Sequence, residues 1–156
     1  MASTASEVTS SSSASQSIYV LHEDKEEKSR LNQQHVMLRL AFGSNFDSPV
    51  AEGLQRGITV LDSACGSASW TLDMASNYPN STFYGIDIAP TFPTANVPEN
   101  CRFQIASLTD KLPFPDNHFD YIHQRLLVSA ISKQAWDNEV DIDNAAKIGG
   151  PAMNRL

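Results

Sequence analysis

Two aspartates, Asp62 and Asp87, stand twenty-five positions apart, and each follows a short run rich in β-branched and aromatic residues: Ile58-Thr59-Val60-Leu61 before the first, Ser81-Thr82-Phe83-Tyr84-Gly85-Ile86 before the second. Asp62 opens a stretch of small residues, Asp62-Ser63-Ala64-Cys65-Gly66-Ser67-Ala68, that leads into a helix-compatible segment from Ser69 to about Tyr78. An acid at the end of a second strand can accept hydrogen bonds from both hydroxyls of a ribose. Small residues ahead of a helix let the backbone approach a ligand closely, and the free N–H groups of the helix N-terminus favour an anion. Together these features describe a nucleoside carrying a charged tail.

The elements that must position these groups follow from the pattern. Ile58 to Leu61 is a nearly continuous apolar run, as expected of a strand buried on both faces. Cys101-Arg102-Phe103-Gln104-Ile105 and Phe119-Asp120-Tyr121-Ile122-His123 read as third and fourth strands, and Ser129 to about Asn138 as a helix. Strands separated by helices or long crossovers predict a parallel α/β sheet, with ligands at the carboxyl ends of its strands. Upstream, about Glu23 to Phe42 reads as a helix. Glu26 and Arg30 stand four apart there, and Leu31, Met37, Leu38, Ala41 and Phe42 supply an apolar stripe before a stop at Gly43-Ser44-Asn45. Pro49 fits the first turn of a short second helix ending near Gln55. The serine-dense residues 1–17 cannot bury enough surface to offset their chain entropy and predict a disordered tail. The expected organisation is a tail over 1–17, a helical extension over 18–56, a sheet core over 57–138 and an atypical tail over 139–156.

A dinucleotide fingerprint needs G-x-G-x-x-G directly after the first strand. Only Gly66 is present, and Asp62 stands where a pyrophosphate would be repelled, so a nicotinamide-dependent oxidoreductase is disfavoured. A carboxylate there suits a ligand with an ammonium group, and S-adenosylmethionine carries both an ammonium and a carboxylate. Val60-Leu61-Asp62-Ser63-Ala64-Cys65-Gly66-Ser67-Ala68-Ser69-Trp70 resembles the first motif of class I S-adenosylmethionine-dependent methyltransferases, and Gly85-Ile86-Asp87-Ile88 their second. Leu112 to Arg125 is similar to the stretch that enters and leaves their fourth strand. With Gln33-Gln34-His35, the details resemble the fungal branch that includes regulators of secondary metabolism.

The resemblance implies a Rossmann-like methyltransferase sheet and a site built residue by residue. Asp62 would hold the methionine amine, the backbone from Ala64 through Gly66 to Ala68 would line the methionine moiety, and Asp87 would accept from the ribose. Ile88 would pack on the adenine face, and Ser107 falls where the family often has an acid or amide facing the adenine amine. Gln124 would border the transferred methyl, and His35 would help roof the pocket. The reaction implied is methyl transfer to a small-molecule or protein acceptor. It depends mainly on alignment, with His123 as a candidate base, since an ordinary imidazole titrates in the useful range.

Blander roles compete for the same residues. Asp62 could serve as a helix-capping acid, Gln124 and Arg125 could tie a strand end to its loop, and Cys65 reads as a small loop residue rather than a nucleophile. Trp70 reads as core packing, and the four histidines and two cysteines show no metal-ligand spacing.

Eleven basic against eighteen acidic residues give a net charge of −7, which argues against nucleic-acid phosphates or an anionic membrane as partners. No apolar run approaches a membrane span, and the N-terminus lacks the features of a secretory signal, so an intracellular location, cytoplasmic or nuclear, is expected.

Two departures from the family pattern carry expectations of their own. Ala64 and Ala68 occupy positions that usually hold glycine. If Ala68 needs positive φ, strain of roughly 1–2 kcal/mol would weaken cofactor affinity. Only thirty-six residues follow Asp120, whereas the family's sheet continues with a fifth strand and an antiparallel pair. The expectation is an incomplete sheet of about four strands whose fourth strand is an open edge, available to a partner chain. The rival function is a non-catalytic cofactor-binding or partner-binding fragment.

Overall fold

The computed structural model describes residues 25–127, Ala146 and residues 154–155. The expected serine-rich tail and the helix expected over 129–138 lie outside the described residues, as does most of the tail over 139–156. At the centre runs β1 (Thr59–Ser63), paired in parallel with β2 (Thr82–Asp87) on one side and β4 (Tyr121–Gln124) on the other. The strand β3 (Cys101–Ile105) pairs outside β2, and the two-residue β5 (Asn154–Arg155) pairs outside β4, so the order is β3-β2-β1-β4-β5.

The expected parallel α/β sheet is therefore present, with two corrections. Asp62 does not end the first strand. Asp62 and Ser63 continue it, opposite Gly85 and Ile86 on one flank and His123 and Gln124 on the other, because both neighbours offer backbone partners that far. The fourth strand is also not an edge: His123 and Gln124 align with Asn154 and Arg155, and Phe119 bridges to Ala146.

Strand alternation divides the core into two layers. On one face of the sheet Val60, Phe83, Cys101 and Tyr121 pack with Trp70 and Met74 of α3 (Ser69–Asn77) and with Leu54 of α2 (Ala51–Arg56). On the other, Leu61, Ile86 and Ile122 pack with Leu108, Leu112 and Phe119 from the connections around β3 and β4. Each fully buried large side chain contributes on the order of 1.5–3 kcal/mol. Gly85 makes room within β2: a Cβ there would lie 2.7 Å from the Phe103 ring and 3.0 Å from Cys65 Sγ.

The helix α1 (Lys25–Phe42) lies against α3, but not by the stripe expected of it. Leu31 and Leu38 are partly buried and His35 is buried, whereas Val36, Met37, Leu40 and Phe42 are exposed. A polar hub sets this rotation. Asp73 on α3 accepts from Arg39 NH1 at 2.7 Å and Asn45 Nδ2 at 2.9 Å, and its Oδ2 lies 3.3 Å from His35 Nε2. Arg30 pairs with Glu27, three residues away, through both carboxylate oxygens rather than with Glu26. Pro49 precedes α2 rather than opening its first turn, with Val50 as the N-cap residue.

Candidate functional site

The loop from β1 to α3 is wound by three left-handed residues, Ala64, Gly66 and Ala68, with φ of 60°, 54° and 63°. It is tied down at both ends: Cys65 N–H donates to Ile86 O at 2.9 Å, Gly66 N–H to Asp87 Oδ2 at 2.8 Å, and Ala68 N–H to Cys65 O at 2.8 Å. Asp87 Oδ1 accepts from Ala89 N–H at 3.0 Å. Asp87 thus fixes the loops after β1 and β2 together, and each carboxylate oxygen keeps a further lone pair for a ligand. Ala68 has the positive φ, 63°, on which the expected strain depends.

Asp62 is 4% exposed. It accepts from Thr71 Oγ1 at 2.5 Å and from the Thr71 backbone, so it does cap the first turn of α3. Capping does not satisfy its charge, because no basic residue lies within ion-pair distance of it among the described residues. Burial lifts its pKa to about 7. The Thr71 hydroxyl and the charge of Arg125 oppose that rise, and Asp87 adds to it. A buried carboxylate held above its ordinary range is a group that an ammonium ion would stabilise.

The remaining expected residues fall around these two acids. Ile88 follows β2 and is 50% exposed; Ile105, opposite Asp87 at the end of β3, is 59% exposed. Two open apolar side chains therefore flank Asp87 at the ends of β2 and β3. Ser107 is half-buried, with its hydroxyl 2.7 Å from Thr109 Oγ1 and 3.2 Å from Thr109 N. Gln124 is 2% exposed; its Nε2 donates to Ser63 Oγ at 3.2 Å, while Oε1 is buried without a partner.

His123 does not suit the role of base. Its ring lies flat on Trp70, centroids 3.8 Å apart and planes within 5°, and neither ring nitrogen has a hydrogen-bond partner. Burial, with Arg125 and His35 nearby, lowers its pKa to about 3, so it stays neutral near physiological pH and is a weak proton acceptor.

His35 lies beside the residue that follows β4. Its Nδ1 lies 3.2 Å from Arg125 NH2, just beyond β4. Leu31 and Asn32 join it and are not marked by the sequence. A Cβ on Gly66 would lie 3.4 Å from Leu31 Cδ1, and Ser69 Oγ donates to Asn32 Oδ1 at 2.5 Å. Thr71 and Ile105 are likewise missed. The alternation of β3 would have shown that Ile105 lies near Asp87, but Leu31 and Asn32 depend on how α1 docks. Among the described residues no group of three metal-ligating side chains occurs, and no helix is long and apolar enough to cross a membrane.

The chain is similar to known proteins in sequence and in fold. A family profile described as a methyltransferase domain matches residues 60–141. The chain is 30% identical over 116 residues to the N-methyltransferase gliN of Aspergillus fumigatus, covering 72% of this chain and 40% of that protein. It is 34% identical to the methyltransferase str2 of Strobilurus tenacellus (74% and 41%) and 28% identical to the secondary metabolism regulator laeA of Aspergillus niger (89% and 40%). It thus spans about two fifths of the length of these relatives. Among solved structures, a chain from the complex between the Haloferax volcanii Trm112 methyltransferase activator and a methyltransferase has a TM-score of 0.62 at 19% identity, covering 82% of this chain and 55% of that one. PKMT2 from Rickettsia typhi in complex with AdoHcy has a TM-score of 0.51 at 23% identity (62% and 20%).

Proposed function

The chain belongs to the class I S-adenosylmethionine-dependent methyltransferases, and from that premise we propose that it binds S-adenosylmethionine at the ends of β1 and β2 and serves methyl transfer to a small-molecule or protein acceptor. The observation that carries this reading is the buried carboxylate of Asp62, without an ion-pair partner among the described residues, beside a loop wound by three left-handed residues. Asp62 holds the ammonium group, the Ala64-to-Ala68 backbone lines the methionine moiety, and Asp87 accepts from the ribose hydroxyls. Ile88 and Ile105 flank the adenine, with Ser107 at its rim.

When bound, the cofactor supplies a methyl group on a sulfonium that is already a good leaving group. The chain's own task is alignment and exclusion of water. Gln124 Oε1, buried and unpaired at the end of β4, borders the reacting centre, and His123 packs behind it. Because relatives are named N-methyltransferases, an amine nitrogen is the first acceptor to try.

Calorimetric titration with S-adenosylmethionine tests this, alongside Asp87→Ala. Saturable binding that the variant loses is the expected result; a folded wild-type chain that binds nothing would remove the cofactor assignment. A second reading is favoured by the span of two fifths of the relatives' length. On it the chain is the cofactor-binding part of a longer enzyme, inert until further chain on the β5 side completes an acceptor pocket. Turnover that appears only when such a segment is supplied would favour it.

A further inference from the structure

We propose that Arg125 takes the carboxylate of the cofactor's methionine end, and that His35 is the positioning residue that aims its guanidinium. The assignment rests on the cofactor reading above. Arg125 directly follows Gln124, whose register partner is Ser63 on β1, so it emerges at the carboxyl end of the sheet beside the Ala64-to-Ala68 loop. It is half-buried, yet among the described residues no carboxylate lies within ion-pair distance of it. Its one hydrogen bond there goes to a neutral acceptor, His35 Nδ1 at 3.2 Å. A guanidinium has five N–H donors in a planar fork that matches a carboxylate, and the contact with His35 engages only one edge of it, leaving the rest of the fork for a ligand.

The charges at the site are complementary to an amino acid zwitterion. Asp62 offers a buried anion without a cation, and Arg125, near enough for each to feel the other's charge, offers a cation without an anion. The two do not pair with one another among the described contacts, which leaves both available to the opposite ends of one ligand.

His35 is held in a single useful tautomer. Nε2 faces the carboxylate oxygen of Asp73 and must carry the proton; Nδ1 then presents its lone pair to Arg125. Asp73 is itself anchored by Arg39 and Asn45, so the ring, and through it the guanidinium, is set by the docking of α1 on α3.

The test measures Kd by calorimetry for two ligands, S-adenosylhomocysteine and decarboxylated S-adenosylmethionine, which keeps the amine and lacks the carboxylate. Arg125→Met is expected to weaken the first about tenfold to a hundredfold and the second less than about twofold. Arg125→Lys, which keeps a charge without the fork, should recover part of the loss and guards against a folding defect in the methionine variant. His35→Phe should weaken the carboxylate-bearing ligand selectively, and His35→Gln, which retains a donor and an acceptor, should restore it. Equal weakening of both ligands by Arg125→Met, or no effect on either, would overturn the assignment. If the wild-type chain binds neither ligand, the cofactor reading itself fails and this assignment falls with it. A loss confined to S-adenosylhomocysteine also separates the cofactor's carboxylate from one on an acceptor molecule.

Discussion

The Thr71 hydroxyl donates to Asp62 Oδ2 at 2.5 Å, so the first turn of α3 grips the carboxylate that β1 carries toward its end. The contact leaves Asp62 oriented but not neutralised: a buried acid whose pKa lies at about 7 instead of near 3.8. A group placed this way costs stability and stands ready for a cation, as expected of a binding residue rather than a purely structural cap.

Under the proposed cofactor assignment, that pKa sets the pH dependence of binding. Asp62 must be ionised to hold an ammonium group, so below about pH 7 binding has to expel its proton. Affinity for S-adenosylmethionine should therefore rise about tenfold per pH unit between pH 5.5 and 7 and level off above it. Asp62→Asn should bind weakly at every pH and lose this slope. Calorimetric titrations across the range would show it.

Among the groups through which stability should respond to pH in the absence of ligand, two deeply buried ones oppose each other. Asp62 has a raised folded pKa, so its contribution weakens as pH rises from 3.8 to about 7; His123 has a lowered one, so its contribution weakens as pH falls from 6.5 to about 3. Each slope is about 1.4 kcal/mol per pH unit, and they cancel where the windows overlap. His123→Phe keeps a ring against Trp70 and removes two unpaired buried nitrogens. It should stabilise the chain by about 1–3 kcal/mol at pH 7 and leave a stability that falls as pH rises from 4 to 7. Urea melts at three pH values decide it; a destabilised variant would mean that the imidazole has a polar role.

The loop alanines separate fold strain from ligand affinity. Ala64 and Ala68 both sit at positive φ, so replacing either by glycine relieves backbone strain. Ala64→Gly should gain about 0.5–1 kcal/mol of stability. Ala68→Gly should be nearly neutral, because the Ala68 methyl is fully buried and its loss offsets the gain. Neither should change cofactor affinity more than about threefold. A tenfold tightening would show that the loop reshapes on binding.

Much of this was legible in the sequence. The apolar run through Val60-Leu61 read as a strand buried on both faces and Asp87 as an acid ending the second strand, but the bond from Gly66 N–H that ties Asp87 to the first loop did not show in the sequence. What the sequence hid was set by partners distant along the chain. Asp62 lies within β1 because His123 and Gln124 extend the ladder beside it. His123 loses its basicity because Trp70, fifty-three positions earlier, closes over it. The rotation of α1 follows Asp73 rather than its own apolar stripe: hydrogen bonds from Arg39, Asn45 and His35 converge there, while Met37 and Leu40 face outward. Periodicity cannot report a helix whose orientation is chosen by a polar hub on another helix.

That hub yields the last prediction. Asp73→Ala removes one acceptor from His35, Arg39 and Asn45 at once and should cost about 1–3 kcal/mol, less than three full charged hydrogen bonds because Arg39 is half exposed. The loss should be local, with hydrogen exchange accelerated in residues 25–42 and little changed in β1 and β2. Acid should mimic it in the wild-type chain. Around His35, Asp73 faces it from α3, Arg125 from beyond β4 and Arg39 from α1 itself. Burial lowers the His35 pKa against the pull of Asp73, with Arg125 and Arg39 adding to the decrease. The contribution of His35 is thus complete above pH 6.5 and is lost as pH falls below it, when a proton on Nδ1 meets the Arg125 donor. Protection of α1 amides, taken relative to intrinsic exchange at each pH, should fall between pH 6.5 and 5 in the wild-type chain and stay flat in His35→Gln. If the two chains behave alike, the His35–Arg125 contact does not hold α1 in place.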